Sequence, residues 1–197
     1  MLYVFEGIDG AGKTTIAKEV SKITGIPYYN CFHNDFDDFV KDGELHGVDE
    51  SYADFVLIDL ARQTGINLIV DRSYPSGWVY TQLGILLPGA KPPLDRLLPM
   101  VYPGHNSKAA LEWAHKFSKV GIMFWIRSNV ATAARRNRKQ FKLDVMDEIE
   151  RLYEKYFNTY YQFDMYSFDN TNALGVWSIV PKCSAIIKLY LEVQNAL

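Results

Sequence analysis

Gly7-Ile8-Asp9-Gly10-Ala11-Gly12-Lys13-Thr14 stands between the apolar run Leu2 to Phe5 and a segment, Thr15 to Ile23, whose Ile16, Val20 and Ile23 recur at helical spacing. The order is strand, glycine loop, helix, with glycine, four residues, then Gly-Lys-Thr. Such a loop lets backbone N–H groups converge on phosphate oxygens, and the helix start adds the positive end of its dipole. Lys13 would reach the β and γ phosphates, and the Thr14 hydroxyl can ligate Mg²⁺. Gly7, Gly10, Ala11, Gly12, Lys13, Thr14 and Thr15 are therefore the expected nucleotide-holding residues, with ATP and Mg²⁺ as cofactors.

Outward from this loop, strand and helix signals alternate. Ile26 to Phe32 reads as a strand and Tyr52 to Thr64 as a helix closed by Gly65. Ile66 to Val70 is an apolar strand ending at Asp71. Ser107 to Lys119 reads as a helix, Gly121 to Ile126 as a strand and Asp144 to Phe163 as a long helix. Asp164 to Phe168 is a last strand, and Ser178 to Val193 a closing helix with Pro181 in its first turn. The expected fold is α/β: a doubly wound five-stranded parallel sheet with helices on both faces, of the P-loop NTPase kind, in a single domain over 1–197. Five of the eight prolines fall between Pro88 and Pro103, which excludes a regular helix there.

Composition narrows the function classes. With 48% hydrophobic and 22% charged residues the chain is neither disordered nor low-complexity. A net charge of -2 supplies no global basic field for nucleic acid or anionic lipid, so DNA is a disfavoured partner. Cys31 and Cys183 lack metal or disulfide-framework spacing, no apolar run approaches the ~20 residues of a membrane span, and the N-terminus lacks a signal-peptide pattern. A soluble, cytoplasmic protein is expected.

The stretch Phe5-Glu6-Gly7-Ile8-Asp9-Gly10-Ala11-Gly12-Lys13-Thr14-Thr15 resembles the opening of thymidylate kinases, in the nucleoside and nucleotide kinase branch of P-loop proteins, and Asp9 is the more specific mark. A second block, Asp71-Arg72-Ser73-Tyr74-Pro75-Ser76-Gly77, is similar to the family's Asp-Arg-Tyr with Ser-Gly following. At a strand's carboxyl end, Asp71 can hold Mg²⁺ or its waters and Arg72 can clamp the phosphoryl group in flight. Ser73 departs from the family's usual Tyr or His, towards the Glu-Arg-Ser of deoxynucleoside kinases. The resemblance further implies an arginine-bearing lid at about 135–143, where Arg127 is followed by Arg135-Arg136-Asn137-Arg138-Lys139. Arg135, Arg136 and Arg138 join Asp9, Lys13, Asp71 and Arg72 as candidate catalytic residues. Asp169-Asn170-Thr171-Asn172 falls at the family's adenine-contacting loop, so Asn170 and Thr171 are candidate nucleotide contacts, or a plain turn. A homodimer is compatible with the resemblance.

The acceptor side departs from the family. Thymidylate kinases hold the acceptor phosphate with an arginine after the second strand, whereas this chain has no arginine before Arg62. Asp35 to Asp59 instead carries nine acidic residues and the single basic Lys41. The matching blocks favour a pyrimidine deoxynucleoside monophosphate as acceptor, in which case Arg72 and a further basic residue, with Lys41 or Arg96 the leading candidates, must meet its phosphate. The alternative is a bare hydroxyl, on a deoxynucleoside or a modified base in DNA, with Asp35, Asp37 or His33 taking its proton. A third reading is a module that binds ATP without catalysis. Tyr28, Tyr29, Phe32, Phe36, Tyr52, Phe55, Tyr74, Trp78 and Tyr80 are base-stacking or core aromatics.

Overall fold

A computed structural model describes residues 1–30, 50–86, 107–136, 142–161, 163–172 and 174–196. Its sheet contains β1 (Leu2–Glu6), β2 (Tyr28–Asn30), β3 (Leu68–Asp71), β4 (Gly121–Arg127) and β5 (Met165–Asp169), in the order β2-β3-β1-β4-β5. All neighbours are parallel, with Tyr3 paired to Ile69 on one side and to Ile122 on the other. β1 is therefore central, and its apolar run is covered on both faces. Every strand ends on a polar residue: Glu6, Asn30, Asp71, Arg127 and Asp169. Because the strands run parallel, these five residues gather at one edge, where open α/β sheets bind ligands.

The helices are α1 (Lys13–Thr24), α2 (Glu50–Thr64), α3 (Tyr74–Leu86), α4 (Ser107–Phe117), α5 (Val130–Arg136), α6 (Leu143–Thr159) and α7 (Gly175–Asn195). α1 packs against α7, and α3 packs against α6, so both faces of the sheet are covered. Aromatic rings fill the second layer. Tyr74 stacks on Trp113 and Trp113 on Phe117, with centroids 5.5 and 4.7 Å apart, while Tyr156 leans on Trp78. Within the sheet, Phe5 stacks on Phe124 at 4.8 Å. No helix among the described residues is long and apolar enough to cross a membrane.

Several expected boundaries move. β3 starts at Leu68 rather than Ile66, and α6 stops at Thr159, leaving Phe163 beyond it and exposed. α6 buries Met146, Ile149, Leu152, Tyr153, Tyr156 and Phe157, and its Tyr160 cap is only half-buried. α7 starts three residues before the expected Ser178, which puts Pro181 inside the helix rather than in its first turn. The buried Ile179, Val180, Cys183 and Ile187 hold the helix across the backbone bond that proline removes. α3 carries no sequence signal for a helix, because Pro75 and Gly77 read as breakers and its side chains are apolar on all sides. Pro75 nevertheless occupies the first turn, where its missing N–H is harmless. The Pro88 to Pro103 stretch lies outside the described residues.

The loop joining β1 to α1 is tightly enclosed. Gly10 has φ +80, and a Cβ there would sit 2.1 Å from the Ala133 carbonyl oxygen of α5. Gly10→Ala is therefore expected to lower stability by at least ~2 kcal/mol, or about 4–8 °C in Tm. Thermal unfolding followed by circular dichroism checks this, and an unchanged Tm would mean that α5 does not rest on the loop.

Candidate active site

The loop wraps over the start of α1, with the Ile16 N–H bonded to the Gly12 carbonyl and the Ala11 N–H to that of Ile8. Around it lies a cleft of about 480 Å³, lined by Asp9, Gly10, Gly12, Lys13, Thr14, Thr15, Asn30, Asp71, Arg72, Arg136, Asn170 and Val176. Lys13 is buried and its Nζ donates to the Ile8 carbonyl at 2.8 Å. Burial, reinforced by Arg72, brings the Lys13 ammonium down to about 8 despite Asp9, Asp71 and Glu6. An anion in this cleft would raise that value again.

Asp71 ends β3 with a fully buried carboxylate. Its Oδ2 accepts from Thr14 Oγ1 at 2.5 Å and from the Tyr28 hydroxyl at 2.9 Å, while Oδ1 is buried with no partner among the described residues. An orphaned carboxylate oxygen beside a threonine hydroxyl fits a hard divalent cation that takes oxygen ligands, so Thr14 and Asp71 suit Mg²⁺.

Arg72 adopts φ +69, unusual for a side-chain-bearing residue, with its N–H bonded to the Phe5 carbonyl. The guanidinium is gripped from two sides. Nη2 donates to Asp9 Oδ1, and Nη1 to Ser76 Oγ at 3.0 Å and to the Tyr153 hydroxyl at 3.3 Å. Asp9 Oδ2 accepts from the Tyr80 hydroxyl at 2.5 Å. Burial pushes the Asp9 carboxyl up, but Arg72, Lys13 and these hydrogen bonds outweigh it and leave it below the usual range. Asp9 is thus ionised at neutral pH.

The sequence candidates separate here. Asp9, Gly10, Gly12, Lys13, Thr14, Thr15, Asp71, Arg72, Arg136 and Asn170 line one cleft, and Gly7 and Ala11 belong to its loop backbone. Arg135 and Arg136 sit in the last turn of α5 rather than in a loop, so the expected lid is helical at its start. Arg136 donates to the Asn170 and Asn172 carbonyls, whereas the exposed Arg135 donates to Thr132 and stays out of the cleft. Arg127 is drawn off to Glu150 and Glu154 on α6. Thr171 also falls elsewhere. It bonds Asp169 and Asn129 and lines a neighbouring cleft. Asn170 is wholly buried, its Nδ2 donating to the Ala11 carbonyl at 2.6 Å. It is wedged so closely that a Cβ on Gly12 or on Gly175 would meet its side chain within 2.5 Å. His33, Asp35, Asp37, Lys41, Arg96 and Arg138 lie outside the described residues.

Sequence reasoning misses Glu6 and Tyr153 as parts of this site, and it offers Tyr80 as a base-stacking or core ring rather than as a hydroxyl donor to Asp9. A carboxylate closing an otherwise apolar central strand was the one available signal for Glu6.

Comparison with solved structures places this architecture. The doubly wound α/β fold is one that several kinases of solved structure share. The YorR protein of Bacillus subtilis, solved in complex with phosphorylated GDP, superposes with a TM-score of 0.64 at 18% identity, over 100% of this chain and 99% of that one. Deoxyadenosine kinase from M. mycoides with bound dATP gives 0.59 at 17% identity, over 98% and 100% of the two chains. Shikimate kinase from Acinetobacter baumannii in complex with shikimate gives 0.53 at 14%, over 97% and 92%. No protein-family model and no curated protein sequence matches the chain. At these identities the likeness is one of fold, and it does not single out thymidylate kinases.

Proposed function

We propose that this protein transfers the γ-phosphoryl group of ATP, with Mg²⁺, to a hydroxyl of a deoxynucleoside. The observation that carries the phosphotransfer reading is the convergence of Lys13, Thr14, Asp71 and Arg72 on one cleft at the carboxyl ends of β1 and β3. Lys13 meets the β and γ phosphates and Arg72 the phosphoryl group in transit, so charge that develops between the two oxygens is matched as it forms. Mg²⁺ held by Thr14 and Asp71 would neutralise the phosphate oxygens. The acceptor oxygen bonds to the γ phosphorus as the bond to the bridging oxygen of ADP breaks, and its proton passes to a base on the acceptor side, for which Asp35, Asp37 and His33 are the candidates.

The acceptor is argued from charge. Among the described residues the cations lining the cleft are Lys13, Arg72 and Arg136, of which Arg72 is already paired with Asp9. A dianionic acceptor phosphate would find little uncompensated positive charge there, whereas a neutral hydroxyl needs none. Deoxyadenosine kinase and shikimate kinase, whose names denote hydroxyl acceptors, support the same choice. The monophosphate that the sequence blocks favoured is the second reading, and it requires a further basic residue, with Lys41 or Arg96 the leading candidates. DNA is disfavoured by the net charge of -2.

Transfer of labelled γ-phosphate to a panel of deoxynucleosides, their monophosphates and modified-base DNA tests this. We expect kcat/KM for one deoxynucleoside to exceed that for its monophosphate by about tenfold or more, since an unpaired buried charge costs several kcal/mol. The reverse order replaces the hydroxyl reading by the monophosphate one, and ATP binding without transfer to any acceptor supports a nucleotide-binding module.

Lys13 also makes binding pH-dependent. In the empty cleft its ammonium titrates at about 8. Bound phosphate raises that value, so above pH 8 ATP binding takes up a proton and affinity falls as pH rises. Calorimetry at pH 8.5 in two buffers of different ionisation heat should register most of one proton taken up. No uptake is expected at pH 8.5 for Lys13→Arg.

A further inference from the structure

Glu6 is the last residue of β1 and has no exposed surface. Nothing in the proposed phosphotransfer uses it, yet a buried carboxylate persists only when its lone pairs are occupied. Its Oε1 accepts from the Ser73 amide at 2.7 Å and, more weakly, from the Ser76 amide at 3.4 Å. Oε2 accepts from the Ser76 hydroxyl at 2.6 Å and the Tyr153 hydroxyl at 3.1 Å. Those two hydroxyl oxygens, 2.6 Å apart, are the ones that accept from Arg72 Nη1. Each hydroxyl has one proton. With the Ser76 proton committed to the carboxylate, the Ser76 oxygen accepts from the guanidinium. The single Tyr153 proton is shared between that oxygen at 2.6 Å and Glu6 Oε2 at 3.1 Å, which leaves a Tyr153 lone pair for the guanidinium.

We propose that Glu6 is a positioning residue for Arg72: it acts through Ser76 and Tyr153 on the guanidinium, and through the Ser73 amide on the left-handed backbone that aims the side chain. Asp9 grips the same guanidinium from the opposite side, so Arg72 is held between a carboxylate in the cleft and a hydroxyl pair anchored in the core. Such a frame fixes the direction of a charge that must not reorganise during transfer. The proposal rests on the reading that Arg72 meets the transferring phosphoryl group.

The test needs no acceptor. Affinities for Mg-ADP and for Mg-ADP with aluminium fluoride, a mimic of the phosphoryl group in transit, are measured for the intact protein, Arg72→Ala, Glu6→Gln, Tyr153→Phe and the Glu6→Gln/Arg72→Ala double variant. We expect Arg72→Ala to weaken the mimic about 100-fold and Glu6→Gln about tenfold, with ADP affinity within about threefold in both. In the double variant Glu6→Gln should weaken the mimic no further, because its effect runs through Arg72. Equal loss of ADP and mimic affinity in Glu6→Gln, or an undiminished tenfold effect in the Arg72→Ala background, overturns the positioning role while leaving the phosphotransfer reading intact. An Arg72→Ala protein that binds the mimic normally removes both. Should Glu6→Gln not fold, Tyr153→Phe carries the same comparison, and a mimic affinity unchanged in it overturns the relay.

Discussion

Lys13→Ala is expected to lower kcat by about 10³-fold or more while leaving the fold intact. The lysine is buried at the base of the cleft, its ammonium drawn onto the loop carbonyl of Ile8, and water is largely excluded from it. In such surroundings a charge aimed at a developing oxyanion is worth far more than in bulk solvent, and removing a single donor of this kind costs ~10²–10³ in rate. A full positive charge facing two phosphates stands above that range. Stability should not fall. Burial works against the charged form of Lys13, so the shorter neutral side chain relieves a desolvated cation as it loses some packing. Steady-state turnover with the best acceptor, alongside thermal unfolding of both proteins, checks the pair of expectations. Near-normal turnover would remove the phosphate-loop assignment.

Asp71→Asn should come next in size, with kcat down about 10²–10³-fold. The substitution preserves volume and replaces the charged oxygen that faces no partner with an amide or a neutral carbonyl. Thr14 and Tyr28 can still bond the remaining oxygen, so the β3 edge should keep its shape. What goes is the negative charge that a divalent ion requires. The Mg²⁺ concentration giving half-maximal rate should therefore rise about ten- to hundredfold. A variant with unaltered Mg²⁺ dependence would show that Asp71 is a structural carboxylate at the sheet edge.

Local chemistry explains how far the sequence could be read. The glycine loop, Lys13, Thr14 and the Asp71-Arg72 pair are contiguous signals, because each depends on a strand ending and a loop or helix beginning at that very point. The parallel sheet followed from the alternation of apolar runs and helical spacing, and its five strands appear as expected, with shifted ends. Long-range pairs left no such trace. Tyr153 reaches Glu6 across most of the chain, and on paper it is one more aromatic on the apolar face of α6. Tyr28 and Tyr80 likewise read as rings for stacking, whereas their hydroxyls are what touch Asp71 and Asp9. α3 escaped notice because a mostly apolar helix has no amphipathic period to detect. The pull of Glu150 and Glu154 on Arg127 could not be foreseen either, since it depends on how α6 lies against β4.

The wedge made by Asn170 carries a consequence for how this chain can change through descent. Gly12 and Gly175, far apart in sequence, both meet the one amide side chain, and that side chain also bonds the Ala11 carbonyl. None of the three positions can mutate freely while the others stay fixed: a side chain at Gly175 becomes tolerable only after Asn170 shrinks, and a smaller residue at 170 unties the phosphate loop. Asn170→Ala should therefore act as a permissive substitution, making Gly175→Ala less harmful than it is alone, with the backbone Cα of residue 170, 3.0 Å from the new Cβ, left to crowd it. Divergent lineages of this fold would be expected to cross between such combinations by paired replacements, so these positions should drift together rather than singly.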